Sequence, residues 1–407
     1  MKQVQRPFYL MISSYFPTPA EPWRCSFVYD QVRAIQKVAP GYEVVVIKTN
    51  YEGDYEFRGV RVIGFKTYMT GRWVCPWLLN KINERRMWQL LFVEGISVND
   101  IAVVHCQLIQ EAYLNAEIKR CNPHVTSIIQ FQDPDPYGMI GGSNRLRTIS
   151  YFMYHRAMAE RADILIAISG NVARVAREAP RQTVHNTYPP MVESMRILRN
   201  FRSPHIRKIY TLHNGVDQTV FNQGEGHLKD SNPNAFTIGC VAVFRDWKDQ
   251  ISLLRAVNLI RDQIHGLRIK LVGVHHSGTM LKDCEKFISE NKLPVTIIPS
   301  MDHRELPDFY RSLDLFVLPS CFEGFGCVFT EVWCCGTPFI TCEGQGMDDL
   351  IYEEDRNKWL CKQHDYKDLA EKILSYYLNR YEQRLSGTVD IVEMVERFMA
   401  DSGLLLK

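Results

Sequence analysis

The sequence lacks the features that would assign it to several large functional classes. No apolar run approaches the roughly 18 residues of a membrane-crossing helix. No Gly-x-Gly-x-x-Gly follows an apolar run with an acid about twenty residues on, so a dinucleotide oxidoreductase is not indicated. The twelve cysteines include no Cys-x-x-Cys pair and no matching histidine spacing, which argues against both a zinc site and a disulfide scaffold. His105, His213, His275 and His276 share no ligand spacing with a carboxylate or cysteine and read as core or loop residues. Low-complexity segments are also missing, and 46% apolar with 23% charged residues is the composition of a globular enzyme.

Net charge is nearly absent from the whole, at +2, but not from its parts. Residues 1 to 208 carry 27 Lys and Arg against 17 Asp and Glu, a surplus of +10, and the remainder carries 21 against 29, or −8. A basic first half points to an anionic partner or a membrane surface there, or to two differently charged solvated faces. Nothing in the pattern suggests nucleic acid. Cys321, Cys327, Cys334, Cys335 and Cys342 crowd together, mostly in apolar runs where free cysteine packs as a small hydrophobe, which fits a reducing cytoplasm.

What is present is alternation. Short apolar runs alternate with longer amphipathic stretches, the pattern of parallel sheets wrapped by helices. Expected strands are Phe8 to Ile12, Tyr42 to Ile47, Val60 to Phe65, Ile101 to His105, Thr126 to Phe131 and Ile164 to Ile168. The basic start before Phe8 imitates a secretion signal, but Ser13-Ser14, Pro17 and Pro19 interrupt it, so a first buried strand is expected. A helix is expected from about Ser26 to Val38. The series restarts with strands at Phe236 to Val241, Arg268 to Val272, Val295 to Ile298, Leu315 to Leu318 and Pro338 to Thr341.

Two βα series imply two doubly wound α/β sheets, with a boundary near Tyr210 to Asn222. The expected domains are residues 1–208 and 209–385, with a helix within about 386–407 packing back on the first. Pro180 to Lys208, with Pro189-Pro190 and five basic residues from Arg196 on, reads as a linker or as the border of a cleft.

The chemistry concentrates in Leu306 to Thr341. Glu323-Gly324-Phe325-Gly326 falls after a strand and before a helix, where free backbone N–H groups and the helix dipole favour a diphosphate and glycine permits close approach. Glu323 and Glu331, seven residues apart in between, can both accept hydrogen bonds from sugar or ribose hydroxyls. Taken singly, either glutamate could be an ordinary turn or helix-start acid.

This stretch resembles the donor-site signature of glycosyltransferase family 4, retaining enzymes of the GT-B fold with two Rossmann-like domains facing a cleft. The resemblance extends to Leu212-His213-Asn214-Gly215-Val216-Asp217 with Phe221, to Lys248, to Leu271-Val272-Gly273 and to the helix Leu369 to Leu374. It covers most of residues 208–375 closely and the first half in outline. It implies that Glu331 binds the nucleotide ribose, that Glu323 holds donor-sugar hydroxyls, and that Gly324, Phe325 and Gly326 meet the diphosphate or sugar. Lys248 would neutralise the leaving diphosphate without a metal ion, and no nucleophile is named.

The sequence also departs from the family. An arginine usual before the lysine is Val243 here, and Arg245 is its nearest substitute. The first βα loop usually carries glycine, where Cys25 and Ser26 stand. A histidine of the first domain is replaced by Gln132, beside Asp133 on the acceptor side. Asp133-Pro134-Asp135 also looks like a metal-binding Asp-x-Asp, although aspartate and proline are ordinary turn residues.

The expected activity is transfer of a hexose or related sugar from a nucleotide donor to a glycan or lipid-linked acceptor, in the synthesis of a surface polysaccharide. An epimerase or hydrolase on the same fold, or an inactive partner subunit, are the alternatives. Trp73, Trp77 and Trp88 with Arg72, Lys81, Arg85 and Arg86 in residues 71–91 suit either a peripheral contact at the inner membrane face or an amphipathic helix packed on its own sheet.

Overall fold

The computed structural model describes residues 6–22, 24–68, 76–138, 145–178, 188–198, 208–224, 235–276 and 278–406. Contacts group the chain into two units. The first comprises Met1–Gln182, Glu193–Gly215 and Ile391–Lys407, and the second Thr183–Val192 and Val216–Asp390.

In chain order the first part holds β1 (Phe8–Ser13), α1 (Ser26–Val38), β2 (Glu43–Thr49), β3 (Tyr55–Phe57), β4 (Val60–Phe65), α2 (Pro76–Val93), β5 (Ile101–Cys106), α3 (Ala112–Cys121), β6 (Thr126–Phe131), α4 (Arg145–Ala159), β7 (Ile164–Ala167), α5 (Gly170–Glu178), α6 (Pro189–Leu198) and β8 (Tyr210–Thr211). Then follow β9 (Phe236–Val241), α7 (Gln250–Ile260), β10 (Leu267–Val272), α8 (Met280–Asn291), β11 (Val295–Ile298), α9 (Leu306–Arg311), β12 (Leu315–Leu318), α10 (Cys327–Cys334), β13 (Phe339–Cys342), α11 (Arg356–Trp359), β14 (Leu360–Cys361), α12 (Tyr366–Asn379) and α13 (Ile391–Asp401).

Among the described residues the first sheet runs β3-β4-β2-β1-β5-β6-β7-β8, parallel except where β3 meets β4. Every residue of β1 is buried, as are the β-branched residues of β2, because helices cover both faces of such a sheet. Helix α13 lies along α1, and Ile391, Val395, Phe398 and Met399 join Val28, Val32 and Ile35 in one core cluster.

The second sheet runs β11-β10-β9-β12-β13-β14, all parallel. Strand order reverses beside β1 in the first sheet and beside β9 in the second, and crevices at the carboxyl ends of such strands are where ligands bind in open α/β sheets.

The expected strands all form, with ends shifted by a residue or two. Short edge strands β3, β8 and β14 were not expected. Within the segment expected to be a linker or cleft border, α6 buries Met191, Met195 and Leu198, and this part is a packed helix rather than a solvated connection. Residues 180–187 and 199–207 of that segment lie outside the described residues.

The crowded cysteines are free thiols, with Cys321, Cys335 and Cys342 buried. Helix α2 covers the described part of 71–91. Trp88 donates to Glu117 at 3.3 Å, Arg86 lies 4.4 Å from the Tyr68 ring centroid, and Lys81 pairs with Glu84, so these side chains bind within their own unit. Arg85 is exposed, while Arg72, Trp73 and the Trp77 side chain lie outside the described residues.

Candidate active site

Within the second unit, β9 and β12 sit side by side at the point where strand order reverses, and each hands its chain to a loop at its carboxyl end. The loop after β9 is a short turn, Asp246–Lys248, ending at Asp249 in the left-handed conformation with φ 52°. It is fastened to the loop after β12: Cys321 N–H donates to the Trp247 carbonyl at 2.8 Å, and the Ser320 hydroxyl reaches the same oxygen at 3.1 Å.

That staple sets Lys248 Nζ 2.5 Å from Glu323 Oε2, with both side chains about 85% buried, at 16% and 15% exposure. A pair so placed keeps its geometry but is not fully stripped of water, so each group remains able to exchange its partner for a ligand atom.

Asp249 anchors the other side. Its carboxylate accepts from Ser252 at 2.8 Å and lies 2.8 Å from His364 Nδ1. That contact, with help from Cys321, raises the His364 imidazole to about 10, so it is protonated at neutral pH.

Glu323 is positioned by its own backbone, because Gln345, 1% exposed, takes the Glu323 N–H on Oε1 at 2.7 Å. The buried Gln345 Nε2 has no acceptor among the described residues. Gly326 then caps α10 at φ 90°, a conformation suited to glycine, and a Cβ there would lie 2.6 Å from the Phe329 ring.

Gly326 itself brings no side-chain cap to that helix start, where backbone N–H groups and the helix dipole favour an acceptor. Phe325, only 1% exposed, plugs the loop into the core, so only its backbone can serve a ligand.

Glu331 stands one turn into α10. Its Oε2 accepts from the Tyr310 hydroxyl at 3.0 Å, and His303 Nε2 is 4.0 Å from its Oε1. Burial raises its carboxyl to about 7 against the opposing help of Tyr310. A buried acid in that state gains from any new hydroxyl donor.

The other expected residues have partners of their own. Arg245 stacks 4.3 Å from the Trp247 ring centroid, and its buried Nε has no acceptor among the described residues. A Cβ on Gly273 would come within 1.9 Å of the Ala242 carbonyl oxygen, so strand-end packing alone accounts for that glycine.

In the first unit, Cys25 caps α1 at φ 58°, ψ 37°. The left-handed backbone that a glycine would supply is therefore present with a side chain on it, and Ser26 opens the helix.

Gln132 closes a buried polar chain. Asn214 Nδ2 donates to Gln132 Oε1 at 3.2 Å, Gln132 Nε2 donates to Gln107, Gln107 to Gln31 at 2.9 Å, and Gln31 to Gln130 at 3.0 Å. His105 Nε2 meets the same Gln130 oxygen at 3.0 Å while Tyr9 holds its Nδ1 at 2.9 Å, and burial lowers the His105 imidazole to about 3. Both polar atoms of Gln132 are thus engaged inside the fold, and an amide neither gains nor loses a proton near neutral pH. Asp133 Oδ1 accepts the Asp135 N–H at 2.8 Å, the geometry of an ordinary Asx turn.

Tyr310, Gln345 and Trp247 escaped the sequence reading as functional residues. Tyr310 was legible only as a core position at helical spacing, and Gln345 lies in a loop with no periodic signal.

Residues 227–386 match the family model of glycosyl transferases group 1. The chain is similar to a sulfoquinovosyl transferase of Arabidopsis thaliana, 27% identical over 184 residues, covering 42% of this chain and 34% of that protein. It is also similar to a D-inositol 3-phosphate glycosyltransferase of Mycolicibacterium smegmatis, 26% identical over 188 residues, covering 44% and 42%. The matched region spans about a third to two fifths of the length of such relatives.

Among solved structures, Anabaena HepE in complex with UDP and glucose superposes with a TM-score of 0.63 at 14% identity, covering 97% of this chain and 95% of that one. Sucrose-phosphate synthase of Thermosynechococcus elongatus gives 0.66 at 16% identity, covering 98% and 95%.

Proposed function

We propose that the protein, whose residues 227–386 match the model of glycosyl transferases group 1 and whose chain has the GT-B fold, transfers a sugar from a nucleoside diphosphate donor to an acceptor hydroxyl. The observation that carries this reading is the Lys248–Glu323 pair beside the Gly326-led start of α10, with Glu331 one turn on.

In this reading the diphosphate takes the first N–H groups of α10, where the helix dipole favours negative charge. Lys248 exchanges part of its contact with Glu323 for the diphosphate and balances the charge that grows as the glycosidic bond breaks. Glu323, released on one oxygen, accepts from donor-sugar hydroxyls, and Glu331 with Tyr310 accepts from the ribose. The donor is a uridine or related nucleotide sugar, by analogy with the UDP complex of HepE.

The reaction retains anomeric configuration and proceeds without a metal ion, since one ammonium and the helix start supply the positive field. The acceptor is a glycan or a lipid-linked sugar of a surface polysaccharide, met at the cytoplasmic face of a membrane. Exposed Leu78 and Ile82 on α2 support a membrane contact.

The test is incubation with a nucleotide-sugar panel and candidate acceptors, with the product anomer read by NMR. A new α-linkage from an α-linked donor sustains the proposal. Hydrolysis or epimerisation of the donor without any acceptor would replace it with the hydrolase or epimerase reading, and inertness toward every donor would favour a non-catalytic partner.

A further inference from the structure

A cavity of about 660 Å³ lies at the end of α10 away from the Lys248–Glu323 pair, where Gly336, Thr337 and Pro338 lead into the amino end of β13. The helix spans eight residues, roughly 12 Å, so this cavity and the site at Gly326 occupy opposite ends of one element. Several hundred cubic ångströms suit a small molecule.

The wall restricts the charge of such a ligand. Phe221, Trp333, Tyr376 and Tyr381 supply rings, and Glu382 is the one charged side chain among the described wall residues, exposed where water screens it. With neither lysine nor arginine in that wall, an anion finds no counter-charge. A cation fares little better, because Lys358 already lies 5.4 Å from the Tyr381 ring centroid and Arg380 5.7 Å from that of Tyr376. Trp333 is different. Its Nε1 donates to the Gln383 carbonyl at 3.2 Å, which fixes the indole plane, and its half-buried ring meets no other ring and no cation among the described residues. In the same wall the exposed Gln223 amide has no hydrogen-bond partner among the described residues.

Phe221 ties the cavity to Glu331. It is 2% exposed, with its ring 5.1 Å from that of His303 and 6.2 Å from that of Tyr310. Those two side chains flank the Glu331 carboxylate, Tyr310 donating to it at 3.0 Å and His303 standing 4.0 Å away. Packed interiors transmit displacement, so a ring pressed against Phe221 is felt one residue further on, at the groups that hold the acid.

We propose that this cavity is a second ligand site, that it takes an uncharged planar ring with a hydrogen-bonding edge, stacked on Trp333, and that its occupancy is transmitted through Phe221 to Glu331. The site itself is independent of the transferase reading. Its consequence, a changed affinity for the nucleotide donor, rests on that reading.

The full-length chain is titrated with benzamide, benzoate and benzamidine, rings of one shape and different charge, by saturation-transfer NMR. Glu331 is followed by NMR of isotope-labelled glutamate, its resonance assigned with Glu331→Gln. Benzamide binds at least about fivefold more tightly than either charged ring, and Trp333→Ala weakens it at least about fivefold. Should Trp333→Ala fail to fold, Trp333→Leu, which keeps apolar bulk without the aromatic face, decides. On saturation with benzamide the Glu331 resonance moves, and affinity for a nucleotide sugar changes at least about threefold. No benzamide binding, equal or tighter binding of a charged ring, binding that survives loss of the indole unchanged, or a Glu331 resonance or donor affinity that benzamide leaves in place overturns the inference. A chain that binds benzamide and moves Glu331 but takes no nucleotide sugar sustains the site and refutes the transferase reading alone.

Discussion

The ammonium of Lys248 and the carboxylate of Glu323 hold each other, and under the proposed function a donor would have to divide them. Lys248→Ala and Glu323→Ala should therefore slow turnover, each by roughly a hundredfold or more if they act on transition-state charge, with a smaller change in donor affinity. Single-turnover kinetics separates the two effects, and wild-type turnover in both variants would count against their roles.

Glu331 carries a pH signature. Its folded pKa of about 7 lies above the ordinary carboxyl value because of burial. The charged form is the one disfavoured in the empty site, so its contribution to stability falls as pH rises toward 7. A ribose hydroxyl that donates to the carboxylate reverses that preference. Donor affinity should then increase as pH rises through about 7, and Glu331→Gln should flatten this dependence in titrations across that range.

These acids were legible in the sequence because a strand, a glycine turn and a helix follow one another around them. Gln345 was not, since a glutamine in a loop without periodicity gives no signal until the fold sets it against the Glu323 backbone.

At the scale of single elements, the turn into α10 is the most constrained. Gly326→Ala places a methyl against Phe329 at φ 90° and should cost about 1 to 3 kcal/mol, read as a fall in the unfolding midpoint. Cys25 offers the contrary case. Its left-handed φ of 58° disfavours any side chain, so Cys25→Gly should leave the melting temperature unchanged or higher, whereas a comparable fall would show that thiol packing outweighs the strain.

The link between His364 and Asp249 gives a third element-scale expectation. A histidine raised to about 10 stabilises fully below its unfolded value near 6.5, and that contribution disappears as pH rises through about 10. The melting-temperature gap between wild type and His364→Gln should narrow accordingly.

Strands such as Val60–Phe65 and Val295–Ile298 were readable to the residue because short apolar runs between turn signals have few alternatives. The edge strands β3, β8 and β14 were not, being two or three residues long and defined by their neighbours rather than by their own pattern. Helix α6 was hidden by Pro189-Pro190, which reads as loop although proline suits a first helical turn.

For the whole molecule, the division into two α/β units follows from a repeated pattern, and the position of the last helix follows from chemistry that the pattern only hinted at. Ile391, Val395, Phe398 and Met399 bury against the first unit, so deleting the chain after Asp390 should remove several kcal/mol of apolar burial and lower its stability or solubility.

The basic surplus of residues 1–208 has a physical reading at this scale too. Under the proposed function, that charge would attract an anionic lipid or glycan carrier.

The account stands or falls on a nucleoside diphosphate binding at the start of α10. Isothermal titration calorimetry with a panel of nucleotide sugars and their diphosphates tests it most directly. The expected result is saturable binding of one donor at one site per chain, weakened by Glu331→Gln and by Gly326→Ala. The contradicting result is no binding across the panel, or binding that neither substitution alters.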